Sequence, residues 1–163
     1  MDKSKELINE NFNFIIVDDD RRKIALIRGI LERFEAVPYI ITDSEYFQKT
    51  LRATYNSHYE GKYPVIFLDE DLGKQEILKG RDIVVGLTNV FEERGGVILP
   101  LYPSPQQQLD SWSEVEIKND NWHIEKDVIT QAQYVQEGEI ERVCTEFLSN
   151  IDSKEQDSEI KNG

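Results

Sequence analysis

Two short acidic runs each follow an apolar one. Asp18-Asp19-Asp20 comes directly after Phe14-Ile15-Ile16-Val17, and Asp69-Glu70-Asp71 directly after Val65-Ile66-Phe67-Leu68. Carboxylates forced into one small volume repel, and their burial is costly until a cation neutralises them. A hard divalent ion, Mg²⁺ for preference, suits an all-oxygen site of a few carboxylates completed by water. If the two apolar runs are neighbouring strands, Asp18, Asp19 and Asp69 converge at their ends and such a site forms. One acid after a strand is ordinarily a helix cap or a turn residue. The repetition at two corresponding places is what favours a metal pocket, while Asp20 is read as the N-cap of the next helix.

Few other residues offer chemistry. His58 precedes a glycine turn and reads as a surface residue, and His123 has no serine or cysteine partner that would make it a catalytic base. Cys144 is the single cysteine, so it forms no internal disulfide; beside Ile140, Val143 and Phe147 it reads as a buried thiol. Gly95-Gly96 lacks the spacing of a phosphate-binding loop and reads as a helix stop. Trp112 and Trp122 are read as packing residues.

The elements that must position the acids alternate along the chain. Phe14–Val17 and Val65–Leu68 are continuous apolar runs, the pattern of strands buried on both faces. Tyr39-Ile40-Ile41 and Val97-Ile98-Leu99-Pro100-Leu101 supply two more strands, and Val115-Glu116-Ile117 is the candidate for a fifth. Between them, apolar residues recur at helical spacing: Ile24, Ile27, Leu31 and Phe34; then Phe47, Leu51 and Tyr55; then Ile83, Leu87, Val90 and Phe91. A last helix from about Asp127 carries Ile129, Ala132, Ile140, Val143 and Phe147, with Gly138 a place for a bend. Alternation of this kind implies right-handed crossovers and an α/β fold: a five-stranded parallel sheet, doubly wound, of the flavodoxin-like type. In such sheets functional residues gather at the strands' carboxyl ends, where these acids lie.

At 163 residues the chain fits one domain, with 39% hydrophobic and 31% charged residues, ordinary values for a soluble protein. Residues 1–12 read as a polar lead-in, 13–149 as the domain, and 150–163 as a disordered tail too polar to pack. Asp and Glu outnumber Lys and Arg 32 to 19, a net charge of -13, which disfavours nucleic acid and favours divalent metals or a partner with a basic face. Arg21-Arg22-Lys23 is the one tight basic cluster. No apolar run approaches a membrane span, and the start has no secretory pattern, so a cytoplasmic protein is expected.

Val17-Asp18-Asp19-Asp20 with its following amphipathic stretch resembles the opening of two-component response-regulator receiver domains. Phe67-Leu68-Asp69 is similar to the family's third strand with its phospho-accepting aspartate, and Gly80-Arg81-Asp82-Ile83-Val84-Val85-Gly86-Leu87 looks like the glycine and helix that follow. The resemblance covers residues 14 to about 101, and extends to about 149 with the final strand and helix. It implies the receiver fold, with Asp69 taking a phosphoryl group from a histidine kinase or phosphotransfer protein. It also implies Mg²⁺ held by Asp18, Asp19, Asp69 and the backbone carbonyl of Asp71 or Glu70, and output through contact with a downstream protein. The domain would then be a signalling module and not an enzyme.

Three places depart from the family's pattern. Where receivers carry Thr or Ser after the fourth strand, this chain has Tyr102, with Ser104 two residues on. Lys118 and Lys126 compete for the place of the lysine that pairs with the acyl phosphate. The stretch from Gly73 to Gly80 lengthens the loop after Asp69. Two alternatives stay open: a phosphate-independent pseudo-receiver acting as an adaptor, and a small Mg²⁺-dependent phosphohydrolase of the haloacid dehalogenase type. The latter also places an Asp-x-Asp after a strand, but it needs a later acidic pair and a cap domain that the sequence does not offer.

Overall fold

The computed structural model describes residues 2–42, 61–69, 95–101, 121–125 and 137–162. Its elements are α1 (Lys3–Asn11), β1 (Phe12–Val17), α2 (Arg21–Leu31) with a 3₁₀ turn at Glu32–Phe34, and β2 (Tyr39–Ile41). Then follow β3 (Tyr63–Asp69), β4 (Gly96–Leu101), β5 (Trp122–Ile124) and α3 (Glu137–Asn162). The five strands form one sheet in the order β2-β1-β3-β4-β5, and every neighbouring pair is parallel. This is the doubly wound order, with its switch point between β1 and β3.

The strands form where both faces can be buried. Phe12, Phe14 and Ile16 of β1, Val65 and Phe67 of β3, and Val97 and Leu99 of β4 belong to one hydrophobic core. Ile24, Ile27 and Leu31 of α2 and Ile140, Val143, Cys144 and Phe147 of α3 complete it. Ile15, Val17, Ile66, Leu68 and Ile98 point the other way, because successive strand residues alternate, and they are equally buried. Continuous apolar runs are therefore what this sheet requires.

Helix α1 was not legible as more than a lead-in, since only Leu7 and Ile8 break its polar text. Asp2 caps it by accepting from the Lys5 backbone N–H at 2.9 Å, and Ile8 is buried in the core. At its other end Lys62 donates to the Asn9 carbonyl at 3.1 Å, tying α1 to the approach of β3. Lys5 lies 5.7 Å from the centroid of the buried Phe34 ring.

The fifth strand is Trp122–Ile124, displaced from the expected 115–117, which lies outside the described residues. Trp122 and Ile124 are buried while His123 between them is half-exposed, so period-2 alternation was present there, though over only three residues. The expected helices carrying Phe47, Leu51 and Tyr55, and Ile83, Leu87, Val90 and Phe91, also lie outside the described residues. Gly95 and Gly96 serve β4 by letting chains approach closely. Gly95 has φ +78, and a Cβ there would strike the backbone of Asn121; one on Gly96 would come within 2.6 Å of the Pro64 carbonyl oxygen.

Helix α3 runs to Asn162, through the stretch expected to be a disordered tail beyond residue 149. Ile151 is packed against the core and continues the apolar face set by Ile140, Val143, Cys144 and Phe147 for one more turn. Burial pushes the Cys144 thiol well above its ordinary pKa, in keeping with the buried thiol expected there.

Phe147 joins α3 to the sheet, with ring centroids 5.8 Å from Phe12 and 5.2 Å from Tyr63. Phe147→Ala should therefore cost about 3–5 kcal/mol of unfolding free energy in a denaturant melt, the range for a deleted core aromatic. A loss below about 1 kcal/mol, the range of a surface change, would mean that the ring does not seal α3 onto β1 and β3.

Candidate functional site

β1 and β3 pair in register, Val17 opposite Leu68. The next residues, Asp18 and Asp69, are thus neighbours at the carboxyl ends of adjacent strands, their Cα atoms about 5 Å apart by parallel-strand spacing. The Asp18 N–H donates to the Ile41 carbonyl of β2 at 3.1 Å, which fixes its backbone from the other side. Asp69 is the last residue of β3 and pairs with Leu101 of β4.

Asp18 is fully buried, with a relative exposure of 0%, whereas Asp19 is exposed. Ionised carboxylates are rarely found fully buried unless charge and hydrogen bonds compensate them. The Asp20 backbone N–H donates to Asp18 Oδ1 at 2.8 Å, and Lys23 Nζ lies 3.9 Å from Asp18 Oδ2. Asp20 in turn caps α2 by accepting from the Arg22 N–H at 2.9 Å, the role its sequence position implied. The turn from β1 into α2 is thereby organised around the Asp18 carboxylate.

Asp18 and Asp19 offer oxygen donors of the kind a hard divalent cation takes. A wholly buried carboxylate at the switch point of a parallel sheet fits such an ion. Among the described residues, no group of three His, Cys, Asp or Glu side chains is placed to hold a metal. Glu70, Asp71, Tyr102, Ser104, Lys118 and Lys126 lie outside the described residues.

Two cationic residues beside buried carboxylates escaped the sequence reading. The first is Lys23, visible only as part of the one basic cluster. The second is Arg142, opposite Glu125. Glu125 follows β5, is 6% exposed, and donates its backbone N–H to the Ile98 carbonyl at 3.1 Å. Its Oε2 lies 3.4 Å from Arg142 Nη2 and 3.4 Å from His123 Nε2. Arg142 also donates to Glu139 at 2.9 Å and to Glu146 at 3.2 Å. The hydrogen bond to Glu139, followed by the charges of Glu125, Glu139 and Glu146, outweighs desolvation and raises the Arg142 pKa above its ordinary value. The i, i+3 and i, i+4 spacing of these residues was a usable signal within α3. The link to Glu125 was not, because it joins separate elements.

No protein-family model matches the chain, and no curated protein matches it. Solved structures do. A CheY-like receiver domain from Methylobacillus flagellatus aligns with a TM-score of 0.55 at 13% identity, covering 84% of this chain and 98% of that one. A CheY-like receiver domain from Methanospirillum hungatei aligns at 0.52 and 13% identity, covering 86% and 98%. A chain carrying a yeast Spc42 coiled-coil segment fused to another protein aligns at 0.57 and 20% identity, covering 95% and 89%. The likeness to the two receiver domains establishes the receiver fold.

The Glu125–Arg142 contact joins the carboxyl end of β5 to α3. Arg142→Met should lower stability by about 1–3 kcal/mol in urea unfolding, because it removes the guanidinium from a buried carboxylate. Adding Glu125→Gln should recover part of that loss. Strictly additive losses in the double variant would show that the contact contributes nothing.

Proposed function

We propose that this chain is a receiver-type signalling domain of the cytoplasm that accepts a phosphoryl group on Asp69 and acts through protein contacts. The observation that carries the reading is the β1–β3 register, which sets Asp69 beside the buried Asp18 at the switch point of a receiver-fold sheet. A carboxylate oxygen of Asp69 attacks phosphorus and the bond from phosphorus to the donor's imidazole nitrogen breaks; that nitrogen keeps the electron pair, and the ring leaves as neutral imidazole with the proton already carried on its other nitrogen. The phosphoryl donor is a histidine kinase or phosphotransfer protein.

Asp18, Asp19, Asp69 and the Asp71 carbonyl would hold Mg²⁺, which offsets charge on the phosphoryl oxygens when bound. Asp18 is held by the Asp20 N–H in a fixed orientation, so its contribution is positional as well as electrostatic. Lys126 follows the observed fifth strand more closely than Lys118 precedes it, and is the stronger candidate for pairing with the acyl phosphate. Tyr102 or Ser104, beyond β4, supplies the hydroxyl that senses it. The strongly acidic surface suits a downstream partner with a basic face.

Incubation with acetyl phosphate and MgCl₂, followed by intact mass spectrometry, should add a single phosphoryl mass to the wild type and none to Asp69→Asn. Labelling that survives the substitution would move the acceptor elsewhere. A wild type that is never labelled, by small donors or by kinases, would support the phosphate-independent adaptor instead.

A further inference from the structure

We infer that Lys23 is a built-in counter-ion of the acidic pocket, competing with the divalent cation for Asp18 and so setting how tightly the metal binds. The inference rests on the metal-binding reading proposed above and concerns a residue which that reading does not use.

The local sequence places Lys23 where it can do this. Asp20 is the N-cap of α2, so Lys23 is the third helical residue. Helical side chains lean toward the helix N-terminus, which carries a first-turn lysine back over the turn that holds Asp18. Its Nζ stands 3.9 Å from Asp18 Oδ2, and its side chain is 23% exposed beside a carboxylate with no exposure at all. Placing a cation in the first turn of a helix runs against the helix dipole, which favours anions there. The local electrostatics of α2 do not explain the lysine, whereas the buried carboxylate does. Oδ1 takes the Asp20 N–H, and Oδ2 is the oxygen that faces the ammonium.

A divalent ion bound to Oδ2 at the roughly 2 Å typical of Mg²⁺ would lie within a few ångströms of the ammonium. Two cations so close in a partly desolvated site repel strongly, so metal entry requires Lys23 to swing outward. Its long, partly exposed side chain permits that movement. The metal-free pocket is thereby spared the full repulsion of its carboxylates, and metal affinity is lowered by whatever displacing the lysine costs.

The test is a calorimetric MgCl₂ titration of the wild type, Lys23→Met and Lys23→Arg, alongside thermal melts in EDTA of Lys23→Met, Asp18→Asn and the double variant. Lys23→Met should bind Mg²⁺ about tenfold more tightly, while Lys23→Arg stays near the wild type. In EDTA, Lys23→Met should melt several degrees lower than the wild type, and this loss should disappear when Asp18 is already Asn. Equal Mg²⁺ affinities in the wild type and Lys23→Met would overturn the competition while leaving the metal pocket in place. No Mg²⁺ uptake by any variant would overturn the pocket itself, and competition with it. A Lys23→Met loss that persists in the Asp18→Asn background would overturn the counter-ion role whatever the metal does.

Discussion

The in-register parallel pairing of β1 with β3 is the constraint on which the rest depends. Six residue pairs from Phe12–Tyr63 to Val17–Leu68 hold the two central strands side by side, so the acid that follows one run must lie next to the acid that ends the other. A shift of one residue would turn every core side chain to the opposite face and move Asp18 out of line with Asp69. The register is held by burial on both faces: Phe14, Ile16, Val65 and Phe67 face α2 and α3, while Ile15, Val17, Ile66 and Leu68 are buried opposite. The same packing that stabilises the sheet thereby delivers Asp18 and Asp69 to one place. The energetic cost of burying the Asp18 carboxylate is offset in part locally, by the Asp20 N–H on Oδ1 and by the Lys23 ammonium 3.9 Å from Oδ2.

The legible parts of the fold were those with strong local patterns. β1, β3 and β4 are apolar runs that admit few readings, and Asp20 sits where a cap belongs, between a strand and an amphipathic helix. β5 was misplaced because Trp122-His123-Ile124 is three residues long, and Val115-Glu116-Ile117 offers the same alternation with more β-branched residues. Helix α1 was invisible for a different reason. Its stability comes from a cap at Asp2, one buried isoleucine and a lysine contributed by the distant position 62, none of which produces periodicity. The length of α3 escaped because only Ile151 marks continued packing beyond Phe147 and Leu148.

The candidate site divides in the same way. That Asp18 and Asp69 would stand side by side could be expected from sequence, because each comes at the end of a run whose strand character is unambiguous. Lys23 and Arg142 could not, since a cation becomes significant only when the fold sets a buried carboxylate opposite it. Glu125 illustrates the general difficulty. In sequence it is one of many acids in a chain of net charge -13, and only the sheet edge and α3 together make it a buried group with a fixed partner. Fold-level likeness to receiver domains at 13% identity carries the architecture, and the chemistry must be argued from this chain's own residues.

The convergence of Asp18, Asp19 and Asp69 on one cation is the central claim, and paramagnetic relaxation by Mn²⁺ tests it most directly. In a ¹H–¹⁵N spectrum titrated with substoichiometric MnCl₂, the amides of Asp18, Asp19 and Asp69 should broaden first, and excess MgCl₂ should restore them. Broadening that begins instead on the acidic residues of α3, around Glu139, Glu141 and Glu146, would contradict the account, as would broadening spread evenly over the acidic surface.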